Sequence, residues 1–337
     1  MTSTINQPHF QDADKAREYL ERTRWPHGPV CPHCGSVSKD HYALNGSAHR
    51  PGVYKCKDCR KQFTVTVGTV LERSKIPLHQ WMQAVYLICS SKKGCSSHQL
   101  QRTLHVQYKT AWFMSHRLRE AMKSPGGIMG SSGGTVEADE TYIGRKPGTK
   151  VRRGHSHKEA VFSLVERKGH VRSFHVNDVT AEALKAKLAA NVSYSATLMT
   201  DNAKQYVKLG REYADHQSVN HSADEYVRGN AHTNTVENFF SIFKRGMYGV
   251  YQHCSSHHLH RYTTEFDFRY NHREQRIKVG GKWTKAGYND AERTQALLKG
   301  ISGKRLTYKR VNAAAQNPAV SSHCHAARNC PSPSQSQ

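Results

Sequence analysis

The sequence predicts an α+β protein: a mixed-sheet core preceded by a small cysteine ribbon and a helical segment. Three observations carry this. Two C-x-x-C knuckles stand near the N-terminus, apolar residues recur at helical spacing between Leu78 and Met122, and β-branched runs alternate with helical patterns beyond a glycine-rich linker.

The ribbon comes first. Cys31 and Cys34 form one knuckle and Cys56 and Cys59 the other, with 21 residues between them, a spacing that fits a four-thiolate zinc site. Pro32 and Gly35 permit a tight knuckle turn, and Tyr54 to Val65 alternates like a short strand. Four protein thiolates leave no position for water, so the expected Zn2+ is structural. His27 and His33 are expected to face solvent or a ligand rather than the metal. Lys55, Lys57, Arg60 and Lys61 supply phosphate contacts without a base code.

After Pro77, Leu78 to Ser91 reads as a helix anchored by Trp81, Val85, Leu87 and Ile88. Ser96 or Ser97 caps a short helix through Leu104, and Tyr108 to Met122 repeats apolar residues at helical intervals. The pair fits a helix-turn-helix, in which Lys109, Thr110, His116 and Arg117 approach a major groove, or a three-helix connector with a basic outer face. Ser124 to Gly134 is the linker.

Thr135 to Ile143 reads as a strand displaying Asp139, with Glu137 and Glu140 beside it as alternative ligands. Lys158 to Glu166 and Val171 to Val176 read as a hairpin. Thr180 caps a helix over Ala181 to Ala190, and Ala196 to Thr200 is a buried strand ending at Asp201, where open α/β sheets present their sites. After 35 intervening residues comes Glu237, on a helix whose apolar stripe is Val236, Phe239, Phe240, Phe243 and Met247. Lys244, seven residues on, shares the flank of Glu237. Three carboxylates converging from two strands and a helix require neutralisation, and oxygen ligands select Mg2+ or Mn2+. Two such ions would suit an in-line phosphoryl displacement, with Lys244 on a nearby phosphate. Arg245, Arg261, Arg269, Arg273 and Arg276 continue a basic surface interleaved with Tyr248, Tyr251, Tyr262 and Tyr270, which either stack on bases or belong to the core.

Composition points to the same partner. Lys and Arg number 50 against 26 acids, a net charge of +24 that implies a polyanion. No run of 18 apolar residues and no leader-like segment occurs, so we expect a cytoplasmic, nucleoid-associated protein without a membrane partner. Its cysteines are then expected to be reduced.

The segments Glu137-Ala138-Asp139-Glu140-Thr141-Tyr142-Ile143-Gly144, Thr200-Asp201-Asn202 and His232 to Gly246 resemble the three blocks of bacterial DDE insertion-sequence transposases with an N-terminal zinc ribbon, the ISXO2-like, IS1595-type family. The resemblance covers about residues 15 to 275. It implies a ribonuclease-H-like fold, double-stranded DNA as partner (element ends and target), cleavage at terminal inverted repeats and strand transfer. Asp139, Asp201 and Glu237 would hold the metal, with Lys244 assisting and His232 and Asn234 supporting or capping the last helix. Joining two ends calls for a homo-oligomer on DNA. The alternatives are a regulator of the same descent that no longer cuts, and a nuclease that does not transfer strands. The expected divisions are 1–70 ribbon with an N-terminal helix, 71–124 helical, 135–285 catalytic, 286–311 extension and 312–337 disordered tail.

Overall fold

The computed structural model describes residues 4–124, 126–220, 225 and 227–307, so the predicted tail lies outside the described residues. In chain order the elements are α1 (Ala13–Arg24), β1 (Tyr42–Ala43), β2 (Tyr54–Lys55), β3 (Gln62–Phe63), α2 (Leu78–Ser90), α3 (Ser97–Leu104) and α4 (Tyr108–Ala121). There follow β4 (Thr135–Ile143), β5 (Glu159–Glu166), β6 (Val171–Val176), α5 (Ala181–Asn191), β7 (Thr197–Asp201), α6 (Lys204–Leu209) and β8 (Asp215–Val219). Last come α7 (Asn234–Gly246), α8 (Ser256–Asn271), β9 (Glu274–Val279), β10 (Lys282–Gly287) and α9 (Asp290–Lys299).

The ribbon is an antiparallel three-stranded sheet in the order β1-β2-β3. The single strand expected over Tyr54 to Val65 is instead two short strands, because the Cys56–Cys59 knuckle turns the chain back and Tyr54 pairs with Phe63. Arg60 takes the left-handed conformation this turn demands, at φ 60°. Trp25, Phe63, Cys31 and Cys56 are buried in one apolar cluster with Trp81, Val85 and Ile88 of α2 and Leu100 of α3. Leu297 and Leu298 of α9 and Ile301 complete that cluster, so the end of the described chain packs against the ribbon and the first helices.

Ser96 caps α3, accepting from the Gln99 amide, and His105 ends it at φ 52° before α4 begins at Tyr108. The three-residue turn between α3 and α4 has the length that a helix-turn-helix uses. The structure corrects one expectation here: His116 does not face outward but is fully buried against Trp112, His258 and Tyr262.

The larger sheet runs β6-β5-β4-β7-β8, antiparallel across its first three strands and parallel from β4 through β8. Strand β5, between β6 and β4, explains the layering. Ala160, Phe162 and Leu164 point into a cluster with Leu184 and Leu188 of α5 and Tyr206 of α6, whereas Val161 and Val165 meet Phe239 and Phe243 of α7 and Phe266 of α8. A strand buried on both faces reads as a continuous apolar run, which is why Glu159 to Glu166 shows little alternation. The apolar stripe expected on α7 is all buried, and its last member, Met247, opens a π-helical turn through Tyr251.

Behind α7 lies a buried charge cluster. Arg119 of α4 donates to Oε2 of Glu265 on α8 at 2.5 Å, and Arg269 and Tyr251 both donate to its Oε1. Although burial opposes it, the two guanidiniums hold the Glu265 carboxyl down at about 2. Arg269, expected on the exposed basic surface, is therefore corrected to a buried residue, and of the two readings left open for the tyrosines Tyr262 takes the core one while Tyr251 is half-buried. Arg119 ties α4 to α8, and Arg269 ties α8 to the carbonyls of Ile88 and Ser91 at the end of α2.

Candidate active site and nucleic-acid interface

Strand register sets the first two acids. β4 and β7 run parallel with Glu137 opposite Met199, so two residues further along each strand place Asp139 level with Asp201 on the same face of the sheet. Asp201 ends β7, and its Oδ1 accepts from the Ala203 amide at 3.2 Å, turning the chain into α6. Burial, together with the neighbouring Glu140, Asp201 and Glu237 carboxylates, pushes the Asp139 carboxyl well above its ordinary range. Asp201 and Glu237 are thus both within electrostatic reach of Asp139.

Alternation separates the candidates that the sequence left open. Glu137 shares a face with Asp139, but it lies deeper and is fully buried beneath the start of α7. Its carboxylate accepts the Thr235 amide at 2.8 Å, the Val236 amide at 3.0 Å and the Thr235 hydroxyl at 2.8 Å. Arg167 donates to it at 2.7 Å and also binds the carbonyls of Asn230 and His232. Glu137 therefore works as a cap supplied by another element, meeting amides that a helix N-terminus cannot satisfy itself. Glu237 lies one residue beyond the second of those amides, so this anchor fixes where Glu237 stands. His232, with Nδ1 3.4 Å from Glu137, stands beside this anchor, and Asn234 is the first residue of α7.

Glu140 projects with Ala138 and Tyr142 towards α6 and accepts the Tyr206 hydroxyl. Burial, with the Asp201 charge adding to it, pushes the Glu140 carboxyl up to about 7. Glu237 and Lys244 are both exposed on one flank of α7. Lys244 lines a cavity of about 310 Å3 with Glu140, Tyr142, His155, Lys158 and Tyr248, and Tyr142 stacks on His155 at 4.5 Å. His155 and Lys158 were missed by sequence reading, since they come from the irregular segment before β5, where no periodicity marks them. Glu137 was seen, but nothing in its spacing distinguishes a buried cap from a metal ligand.

The donor set of Asp139, Asp201 and Glu237 fits a hard divalent cation by its chemistry: oxygen-only, anionic and self-repelling when empty of charge compensation. Its carboxylates are spread more widely than the cysteines, because among the described residues only the four-cysteine group has three or more donor atoms all within 4.8 Å. In the ribbon, Sγ atoms of Cys31 and Cys59, and of Cys34 and Cys56, lie 3.6 Å apart. A tetrahedral zinc with bonds of about 2.3 Å has edges of about 3.8 Å, so the four thiols fit a structural zinc. His33 bonds the Gln62 carbonyl and stands outside the group.

The candidate DNA contacts are distributed over several elements. Lys57, Arg60, Lys61, Lys109 and Arg245 are exposed, Lys55 is half-buried, and Arg117 is half-buried over the Phe113 ring. No helix among the described residues is long and apolar enough to cross a membrane.

Two family models match the chain: a transposase zinc-ribbon domain over residues 11–62 and an ISXO2-like transposase domain over residues 132–271. The chain is also 30% identical over 279 residues to a protein of Halobacterium salinarum described as an uncharacterised protein in transposable element ISH50, covering 77% of this chain and 91% of that one. Matched ribbon, matched acidic core and a relative aligned along nearly its whole length place this chain in the family of ISXO2-like transposases with an N-terminal zinc ribbon.

Proposed function

We propose that the protein is a DDE transposase that binds the terminal inverted repeats of its element, cleaves DNA at the element's ends and joins the freed strand to target DNA. The observation that carries this is the level placement of Asp139 and Asp201 on adjacent parallel strands, with Glu237 brought to them by a helix whose N-terminus is pinned beside Asp139. The sheet order, three antiparallel strands followed by two parallel ones with helices on both faces, fits a ribonuclease-H-like core.

In this reading Asp139, Asp201 and Glu237 hold two Mg2+ or Mn2+ ions, which when bound would lower the cost of charge on the attacking and leaving oxygens. The chain supplies the rest. Lys244 neutralises a phosphate beside the scissile one. Lys158 and His155 extend that cationic edge, and Tyr142 and Tyr248 offer ring faces to an adjacent base. The ribbon, holding its zinc on Cys31, Cys34, Cys56 and Cys59, presents Lys55, Lys57, Arg60 and Lys61 to the DNA backbone. The helix-turn-helix pair brings Lys109 and Arg117, and α7 brings Arg245. Two protomers acting on two ends would complete the assembly.

The test is a Mg2+-dependent cleavage and strand-transfer assay on a fragment carrying the gene's flanking DNA, wild type beside Asp201→Ala. Joined products from wild type, with cleavage lost and end binding kept in the variant, are expected. Equal loss of binding and cleavage would sink the assignment of Asp201 to catalysis. Cleavage without joining would indicate a nuclease, and binding without either a regulator.

A further inference from the structure

A second groove lies away from the acids. It encloses about 620 Å3 between the end of α2, α7, the end of α8, β10 and the start of α9. Seven cationic and two acidic side chains line it. Both carboxylates are already matched, Glu274 by Lys285 at 3.1 Å and Asp290 by Arg293 at 2.8 Å. That leaves Lys92, Lys93, Arg245, Arg269 and Arg273 in excess, and Lys92 and Lys93 are exposed with no carboxylate partner among the described residues.

The groove is positive from beneath as well. Arg269 lies at its floor, 8% exposed, and its Nη1 finds no hydrogen-bond acceptor among the described residues. It shares Glu265 with Arg119, so two buried guanidiniums face one carboxylate and the cluster keeps a net positive charge. A buried charge that protein groups leave uncompensated raises the potential at the nearest opening, where solvent screens it least. Arg273 stacks on Tyr270 at 3.4 Å, which holds its guanidinium along the wall, and Tyr288 adds a second, 40% exposed ring.

Geometry separates this groove from the acids. At about 100° per residue, Ile242 and Phe239, which line the groove, stand about 140° and 160° around α7 from Glu237, whereas Lys244 stands about 20° from it. A strand lying at the acids therefore follows one flank of α7, and the groove opens on another.

We infer that this groove binds the phosphodiester backbone of a DNA segment distinct from the one at the acids, through Lys92, Lys93, Arg245 and Arg273. The inference rests on the DNA-joining reading above, which requires two DNA segments on one protein, element end and target. The two share backbone chemistry, and the experiment separates them.

Full-length wild type and the Lys92→Ala/Lys93→Ala double variant are titrated against two labelled duplexes, one carrying the gene's flanking DNA and one of unrelated sequence. Titrations run without added divalent metal, from 50 to 200 mM NaCl. Each lost phosphate contact lowers the slope of log affinity against log salt by about 0.9, so the variant should lose about 1.8 in slope. Unchanged zinc content and thermal midpoint would establish that the exposed substitutions left the fold intact. Loss confined to the flanking duplex makes the groove a seat for the element end; equal or greater loss on unrelated duplex makes it a seat for target. Wild-type binding with the same affinity and slope in the variant overturns the groove. Failure of wild type to bind either duplex overturns the DNA-joining reading and the groove with it.

Discussion

Replacing Glu137 with alanine tests whether the site depends on a residue that never touches substrate. The carboxylate is fully buried and accepts four hydrogen bonds from Arg167, two α7 amides and the Thr235 hydroxyl. Removing one partner of a buried ion pair costs about 3–5 kcal/mol, and losing a helix cap about 1 kcal/mol, but these overlap because the same carboxylate does both. Arg167 is 20% exposed and keeps its bonds to the Asn230 and His232 carbonyls, which favours the lower end. We expect Glu137→Ala to lose about 3 kcal/mol in urea unfolding. Glu137→Gln, which keeps the shape and an acceptor oxygen, should lose about half as much. Under conditions where both variants are folded, cleavage should fall because the first turn of α7 no longer fixes Glu237, while DNA affinity and its salt slope stay at wild-type values. Partial recovery of cleavage in the glutamine variant is the mark of positioning. An alanine variant within about 0.5 kcal/mol of wild type, with full cleavage, would refute the reasoning.

Cys56→Ser should release zinc, since Cys56 is one of four thiols and is buried with Phe63 and Trp25 in the core shared with α2; retention of one zinc per chain would contradict a four-thiolate site, and DNA binding should weaken as the basic knuckle loses its frame. His116 offers a pH test. Burial and the Arg119 charge push its imidazole from 6.5 down to about 2, so the folded protein keeps it neutral while the unfolded chain takes up a proton below pH 6.5. Stability attributable to this group is complete above pH 6.5 and is lost as pH falls, by up to about 2 kcal/mol at pH 5. His116→Phe should flatten that part of the stability profile measured by urea unfolding between pH 7 and 5; an unchanged profile would show that the imidazole is reached by water. For the acids, Asp201→Ala should separate binding from cleavage as described above.

Much of the chain could be read from sequence because its signals are local. The helices over Leu78–Ser90, Ser97–Leu104 and Tyr108–Ala121 and the hairpin of β5 and β6 announce themselves by period and by capping serines and threonines, properties that short stretches carry without help. The two knuckles mark by spacing alone the four cysteines that the fold clusters into a group fit for zinc, since a C-x-x-C turn has few ways to present its thiols. Asp139, Asp201 and Glu237 were legible as a set of intervals. What sequence could not decide was which acid beside Asp139 faces the site, because strand alternation gives two faces but not what covers each. Only the packing of α7 onto β4 makes Glu137 a cap, and only α6 gives Glu140 its Tyr206 partner. The same holds for charge. Arg119, Arg245, Arg269 and Arg273 look alike in the sequence, yet Arg119 and Arg269 are buried around Glu265 while Arg245 and Arg273 stand on the walls of a groove that has Arg269 at its floor, a difference created largely by long-range contacts such as Arg119 to Glu265 and Arg269 to the Ile88 and Ser91 carbonyls. Local chemistry determined the elements, the four-cysteine group and the set of candidate acids; the tertiary structure decided which charges are spent on holding the fold and which remain exposed, because burial and pairing are properties of neighbours that the chain brings together only on folding.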